Sequence, residues 1–283
     1  MDLLSALRSS SNVVAAELRP PRAELAAHEG MDAWIDTYHA VRRLTRQGTH
    51  VFLTDSAVGT PEEDNLRHLV ANLGDDAPRD RIVPFLTAKH PIEYCRSYAE
   101  RAHQHGFPAL VVLGGDRSVG VPRSVEHAWQ LRGMLRQRTP GLTLGGWANP
   151  HGDPEKQADY LAAPEFTAEF YLTQIVSHHH AAQVERFVAT TRRRGLTLPA
   201  LFGVFFYRSA NRRTLDLLRS FLPVPAEGLA REFAAGNSPI DVCARTIRTL
   251  IDAGAEHFYV SNLPAGRAQS TLADVMAKVG VTA

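Results

Sequence analysis

Cysteine is scarce in this chain, with Cys95 and Cys243 the only two among 283 residues. Two distant thiols, each inside an apolar helical pattern, make neither a disulfide framework nor a zinc-thiolate cluster, and they point to a reducing compartment. No apolar run approaches the ~18 residues of a membrane span. Neither sign of charge prevails, with 31 Lys+Arg against 30 Asp+Glu, so there is no electrostatic footprint for nucleic acid or an anionic membrane. The opening MDLLSALRSS has an early acid, no basic segment and a short apolar stretch. That fits a disordered or docking tail over residues 1–12 and not a secretory signal. The expected setting is the cytoplasm, in soluble form.

Several chemical signatures are missing too. There is no G-x-x-x-x-G-K-[ST] phosphate loop, no G-x-S-x-G nucleophile elbow and no G-x-G-x-x-G after the first apolar run. No cysteine stands at a strand end, which leaves thiol catalysis without a nucleophile. The one dense basic run, Arg192-Arg193-Arg194 before Gly195, reads as the cationic last turn of a helix.

What the chain does have is regular alternation. Short continuous apolar runs predict strands at Val13–Leu18, His50–Asp55, Ile82–Ala88, Ala109–Gly115, Leu142–Asn149, Phe170–Ser177, Pro199–Phe206 and His257–Asn262. Continuous rather than alternating runs suit parallel strands covered on both faces. Amphipathic stretches predict helices at Met31–Gln47, Glu62–Leu73, Pro91–His105, Ser124–Gln137, Asp153–Ala162, His179–Arg194, Asn211–Leu222, Pro239–Ala253 and Gln269–Val279. Gly48, Gly74, Gly106, Gly195 and Gly254 close helices, and Pro61, Pro91, Pro154 and Pro239 open them. Eight strand–helix units point to a single (β/α)8 barrel over residues 13–283, with extra helices in the long seventh connection.

A barrel gathers its chemistry at the C-terminal ends of its strands. The first ends in Glu17-Leu18-Arg19-Pro20-Pro21-Arg22. Glu17 in an apolar run is either paired with Arg19 or Arg22, or is an acid whose pKa desolvation raises for proton donation. Asp55 after the second strand is either a second cavity carboxylate or an Asx-turn residue. After the fourth, Gly114-Gly115-Asp116 is either a common turn or a close backbone approach beside a carboxylate that grips a heterocycle edge. Gln174, after Leu172-Thr173, is either a satisfied core amide or a ligand for an edge with both donor and acceptor. His178-His179-His180 after Ser177 read as the solvated first turn of a helix capped by Ser177, because adjacent ligands diverge on a helix; no metal is expected.

Taken in order, these segments resemble the methylenetetrahydrofolate reductase family. Ala16-Glu17-Leu18-Arg19-Pro20-Pro21-Arg22 is similar to its F-E-x-x-P-P-[RK] opening, Leu113-Gly114-Gly115-Asp116 to its L-R-G-D turn, Leu172-Thr173-Gln174 to its T-Q strand end and His257-Phe258-Tyr259-Val260-Ser261-Asn262 to its closing H-F-Y-T-x-N. The resemblance implies a (β/α)8 barrel that reduces 5,10-methylenetetrahydrofolate to 5-methyltetrahydrofolate, usually with FAD relaying hydride from NAD(P)H. It casts Glu17 as the acid acting on N10, and Asp116 as the carboxylate that binds the pterin and steadies the 5-iminium cation. Gln174 and Asp55 become further substrate contacts, and Thr54, Thr87, Trp147 and His151 line the cofactor's place.

The departures matter as well. Gly114 replaces an arginine, and Phe85 replaces the histidine of H-L-T. The stretch Tyr160-Leu161-Ala162-Ala163-Pro164-Glu165 holds no cation where the family keeps basic residues for the FAD phosphates. Missing them forfeits charge-assisted hydrogen bonds of ~1.5–3 kcal/mol each. The pattern is similar to a flavin-free bacterial branch in which NADH passes hydride directly to the folate. An FAD-dependent reductase and a redox-inactive folate-binding barrel are the alternatives.

Overall fold

In a computed structural model, which describes residues 1–9, 12–21, 25–56, 66, 70–71 and 77–280, all eight apolar runs form strands. They are β1 (Val14–Leu18), β2 (Val51–Leu53), β3 (Ile82–Thr87), β4 (Ala109–Leu113), β5 (Thr143–Ala148), β6 (Phe170–Val176), β7 (Ala200–Phe205) and β8 (His257–Ser261). Each pairs in parallel with the next, and β8 pairs with β1 to close the barrel. The strands read as unbroken apolar runs because both faces are covered. Ala16, Leu18, Leu110, Val112, Phe202 and Val204 face the helices. Phe52, Val83, Val111, Phe170, Leu172, Leu201 and Tyr259 fill the interior.

The helices are α1 (Leu3–Ser9), α2 (Ala27–Arg46), α3 (Ile92–Gln104), α4 (Ala128–Arg138), α5 (Pro154–Ala162), α6 (Ala181–Arg193), α7 (Arg212–Arg219), α8 (Ala226–Ala234), α9 (Pro239–Asp252) and α10 (Ala268–Val279). Buried residues recur at helical spacing, as in Val184, Phe187, Val188 and Thr191 of α6. The Asp153 carboxylate accepts from the Lys156 amide to start α5, and Ser238 and Asp241 form a capping box on α9. The expected arginine run ends α6, where Arg194 pairs with Asp159 at 2.6 Å. Most of the helix expected at Glu62–Leu73, together with Pro61, Gly74 and Arg22, lies outside the described residues.

Of the two alternatives for the first residues, a disordered or a docking tail, the described ones form a docked helix, α1. Leu3, Ala6 and Leu7 follow i, i+3, i+4 spacing and join the interior cluster with Val13 and Ala15, at the strands' N-terminal end. Two buried histidines hold it there: His50 Nε2 lies 3.3 Å from the Met1 carbonyl, and His257 Nδ1 accepts from the Val13 amide at 3.2 Å. Burial pushes His50 down to about 4 and also lowers His257, so both are neutral.

The seventh connection holds three helices, α7 to α9, with a small core of their own made of Tyr207, Leu215, Leu229 and Val242. Of these, α8 had no separate sequence signal, being short and bounded by Pro225 and Gly236.

Candidate active site

Parallel closure places Glu17, Asp55, Asp116 and Gln174 toward the same end of the barrel, Glu17 and Gln174 within the C-terminal halves of β1 and β6, Asp55 and Asp116 just after β2 and β4. Leu113, Trp147 and Phe205, near the ends of β4, β5 and β7, and Leu222 from the seventh connection are half-buried hydrophobics against the interior cluster. They form an apolar mouth, and Glu17 projects from the β1 side of it. Desolvation pushes its carboxyl up to about 7, against the pull of the Ser261 hydroxyl, which donates to Oε1. Arg19 is exposed and Arg22 lies outside the described residues. A carboxyl with this pKa holds a proton for a substantial fraction of the time at neutral pH, as a general acid requires.

Gln174 stands on a β-bulge. Leu172 is paired with Leu201, whereas Ile175 is paired with Gly203, so β6 carries one residue more than β7 between these points. The bulge is stitched by three side chains. Thr173 Oγ1 accepts from the Gly203 amide at 3.1 Å, the Tyr259 hydroxyl donates to the Thr173 carbonyl at 2.6 Å, and Gln174 Oε1 accepts from the Ile175 amide at 2.9 Å. That last bond fixes the Gln174 side chain through its oxygen.

Asp116 follows β4 and is half-buried. Its Oδ1 accepts from the Ser118 amide, the Ser118 hydroxyl and the Val119 amide at 2.8, 2.9 and 3.1 Å. These bonds, chiefly from Ser118, with help from Lys89, hold its pKa below the usual value, so it is an anion at neutral pH. Lys89 itself is buried and donates to the carbonyls of Val119 and Val121, which anchors the loop. Beside it, a Cβ on Gly114 would come within 2.7 Å of the Arg123 guanidinium carbon. Arg123 donates to the Gly115 carbonyl. A guanidinium therefore stands against the position where the resemblance places an arginine, supplied from nine residues later in the chain.

The remaining expected residues divide. Trp147 belongs to the mouth. His151, in the fifth connection, lies 2.9 Å through Nε2 from the Ile175 carbonyl, with its ring edge-to-face with His180 at 4.7 Å. β2 is shorter than expected, so Thr54 and Asp55 lie past its end, where the Thr54 amide donates to the Leu18 carbonyl at 3.0 Å. Asp55 and Thr87 are joined to each other. The Thr87 amide and hydroxyl donate to Asp55 Oδ2 at 2.7 and 3.0 Å, and His90 Nε2 lies 2.8 Å from the same oxygen. Thr87 is only 1% exposed, so this network ties the second and third connections together behind the mouth.

The stretch 160–165 holds no cation of its own. Arg132 of α4 is fully buried, its guanidinium 2.6 and 2.9 Å from the Phe166 carbonyl and 3.3 Å from that of Val112. It is fully buried and engaged by these carbonyls and by Tyr160, so the observed residues do not fit a flavin pyrophosphate at this stretch.

The histidine run departs from expectation. The Ser177 hydroxyl does cap the turn, accepting from the His179 amide at 3.1 Å. The imidazoles of His178 and His179 do not simply face solvent, however. Both turn onto Glu232 of α8, at 2.6 and 2.7 Å. Sequence spacing gave no hint of this carboxylate, because it lies in the helix that the sequence left unassigned.

No family model matches this chain, and no curated protein matches it. Solved structures do share its architecture. A protein from Clostridium thermocellum that binds two copies of 5-methyl-5,6,7,8-tetrahydrofolic acid is similar with a TM-score of 0.67 at 15% identity, over 98% of each chain. Apo-MsnO8 is similar with a TM-score of 0.60 at 13% identity, over 96% of this chain and 99% of that one. At such identities the likeness defines the class of fold, a (β/α)8 barrel. Among the described residues no helix is long and apolar enough to cross a membrane.

Proposed function

We propose that this chain is a methylenetetrahydrofolate reductase that takes hydride directly from NADH. The observation that carries this reading is Glu17, a carboxyl pushed up to about 7 at an apolar barrel mouth and held by Ser261. Its support is the order of strand-end motifs and the solved barrel of similar fold that binds 5-methyltetrahydrofolate.

In this reading the pterin lies in the mouth against Trp147, Phe205 and Leu222. Glu17 delivers a proton to N10 as the methylene bridge opens, and the bridge carbon becomes an N5 iminium. The ionised Asp116 steadies that cation, an electrostatic effect strengthened where water is excluded. Hydride from the dihydronicotinamide C4 of NADH then adds to the iminium carbon, giving the N5-methyl group and NAD⁺. Gln174 donates through Nε2 to the pterin, and Trp147 and His151 flank the nicotinamide. Asp55, with Thr87 and His90, positions the rim. A flavin is not part of this scheme, because the residues at 160–165 and the fully buried Arg132 offer its phosphates no accessible cation.

Two measurements on the full-length protein test the proposal. The pure protein should be colourless in the visible range, and it should oxidise NADH only when methylenetetrahydrofolate is added. Bound FAD would overturn direct transfer. Folate binding without NADH oxidation would leave a binding barrel in place of a reductase.

A further inference from the structure

His178 and His179 are neighbours in the 3-10 turn after β6, and their ring centroids are 4.0 Å apart. Both Nε2 atoms converge on one oxygen, Oε1 of Glu232, at 2.6 and 2.7 Å. Glu232 comes from a different part of the fold, 54 residues beyond His178, and only about a tenth of its side chain is exposed. Its other oxygen accepts from Arg245 at 2.7 Å, and Arg245 is in turn held by Asn237 Oδ1 at 2.8 Å. Both carboxylate oxygens are therefore fixed in place.

The far side of His178 decides what lies between these groups. Nδ1 is 2.8 Å from the hydroxyl of Thr246. That hydroxyl donates its one hydrogen to the Val242 carbonyl at 3.0 Å, so it accepts from His178 Nδ1–H. A neutral imidazole has one N–H. With that hydrogen on Nδ1, Nε2 presents a lone pair to a carboxylate oxygen, and a cation at the point of convergence removes the repulsion. A ring fixed through its distal N–H, with carboxylate and second imidazole facing the near side, is the outer-shell arrangement of metal-ligating histidines. The three ligand atoms all lie within 4.8 Å of one another.

We propose that His178, His179 and Glu232 form a zinc site, with water as the fourth ligand. Two imidazoles and one carboxylate without thiolate suit Zn²⁺, whereas Mg²⁺ and Ca²⁺ favour all-oxygen shells. Room has been made for the His179 ring, since a Cβ on Gly228 would collide with it. His179 is the more exposed of the two histidines, and it gives ion and water a way in. At zinc–ligand distances of about 2.0–2.1 Å, neighbouring ligands sit roughly 3.3 Å apart, so loading moves each imidazole nitrogen roughly 0.6–0.7 Å further from the Glu232 oxygen. The ion would clamp α8 to the end of β6. It would thereby fix the connection that brings Leu222 to the mouth, independently of which ligand the mouth takes.

Untagged full-length protein, stripped with a chelator and titrated with Zn²⁺ alone, tests this. It should take up about one equivalent, melt several degrees higher when loaded, and give visible ligand-field bands with Co²⁺. The double variant His178→Gln/His179→Gln should lose uptake, and Thr246→Val should bind roughly 10–100-fold more weakly. Glu232→Gln, which keeps shape and an acceptor, serves as the second variant if the double variant does not fold. Wild-type protein that takes up no zinc, or either histidine or Glu232 variant taking up as much as wild type, overturns the proposal. Thr246 would then donate to His178 Nδ1, and the imidazoles would donate their Nε2 hydrogens to Glu232.

Discussion

Ser261, at the end of the last strand, donates its hydroxyl hydrogen to Glu17 on the first, across the seam where β8 and β1 close the barrel. The pair joins the first and last strands of the barrel and partly offsets the desolvation that raises the pKa of Glu17.

Glu17 makes stability depend on pH. Below 4.5 the carboxyl is protonated in folded and unfolded chains alike. Between 4.5 and about 7 the unfolded chain ionises first, so stability falls as pH rises and levels off above 7. After allowance for solvent at a half-buried group, the loss is ~1–2 kcal/mol, at about 1.4 kcal/mol per pH unit before that discount. Glu17→Gln should therefore melt a few degrees higher than wild type at pH 8 and nearly equal to it at pH 4. Parallel melting curves across this range would refute the assignment.

Ser261→Ala removes the bond that favours ionised Glu17. A hydrogen bond to a charged group is worth ~1.5–3 kcal/mol, so the alkaline limb of the pH–rate profile should move up by roughly 1–2 pH units. An unmoved limb would mean that Glu17 is not the acid that the profile reports.

The bulge under Gln174 depends on Gly203. A Cβ there would strike the Tyr259 hydroxyl, which crosses the barrel to the Thr173 carbonyl. Gly203→Ala should cost ~1–3 kcal/mol by overpacking, visible as a lowered melting temperature. Gly266→Ala, where a Cβ meets nothing within 4 Å, should leave it unchanged and serves as the control.

At the other end of the barrel, acid should loosen α1. His50 and His257 are neutral in the fold, with His50 pushed down to about 4. Their stabilising contribution is complete above the unfolded value near 6.5 and is lost as pH falls toward 4. Protection of the amides in residues 3–9 should fall between pH 7 and pH 5 more than protection of those in β4. Equal protection at both values would contradict this anchoring.

The barrel was legible because its signals are local. Val-Val-Ala-Ala at β1 and Leu-Val-Val-Leu at β4 can only be strands covered on both faces, and each helix between them carries its own period and stop. α1 has the same kind of signal in Leu3, Ala6 and Leu7, but seven residues are too few to stand out from a tail. Glu17 was legible as a carboxylate misplaced in an apolar run. Its partner was not, because Ser261 is an ordinary strand-end serine until closure brings it alongside. Glu232 escaped for the same reason: nothing in Arg231-Glu232-Phe233 marks a buried acid facing two histidines. Arg132 likewise resembles any surface arginine on a helix until the Phe166 carbonyl is found against it.

The central claim is that Glu17 supplies the proton while the mouth transfers hydride to a folate. Its most direct test is NADH oxidation by wild type and Glu17→Gln with methylenetetrahydrofolate, beside the affinity of each for 5-methyltetrahydrofolate. Turnover should drop roughly 10²–10⁴-fold in the variant with folate affinity nearly unchanged, as for a lost general acid. Undiminished turnover in Glu17→Gln would contradict the account.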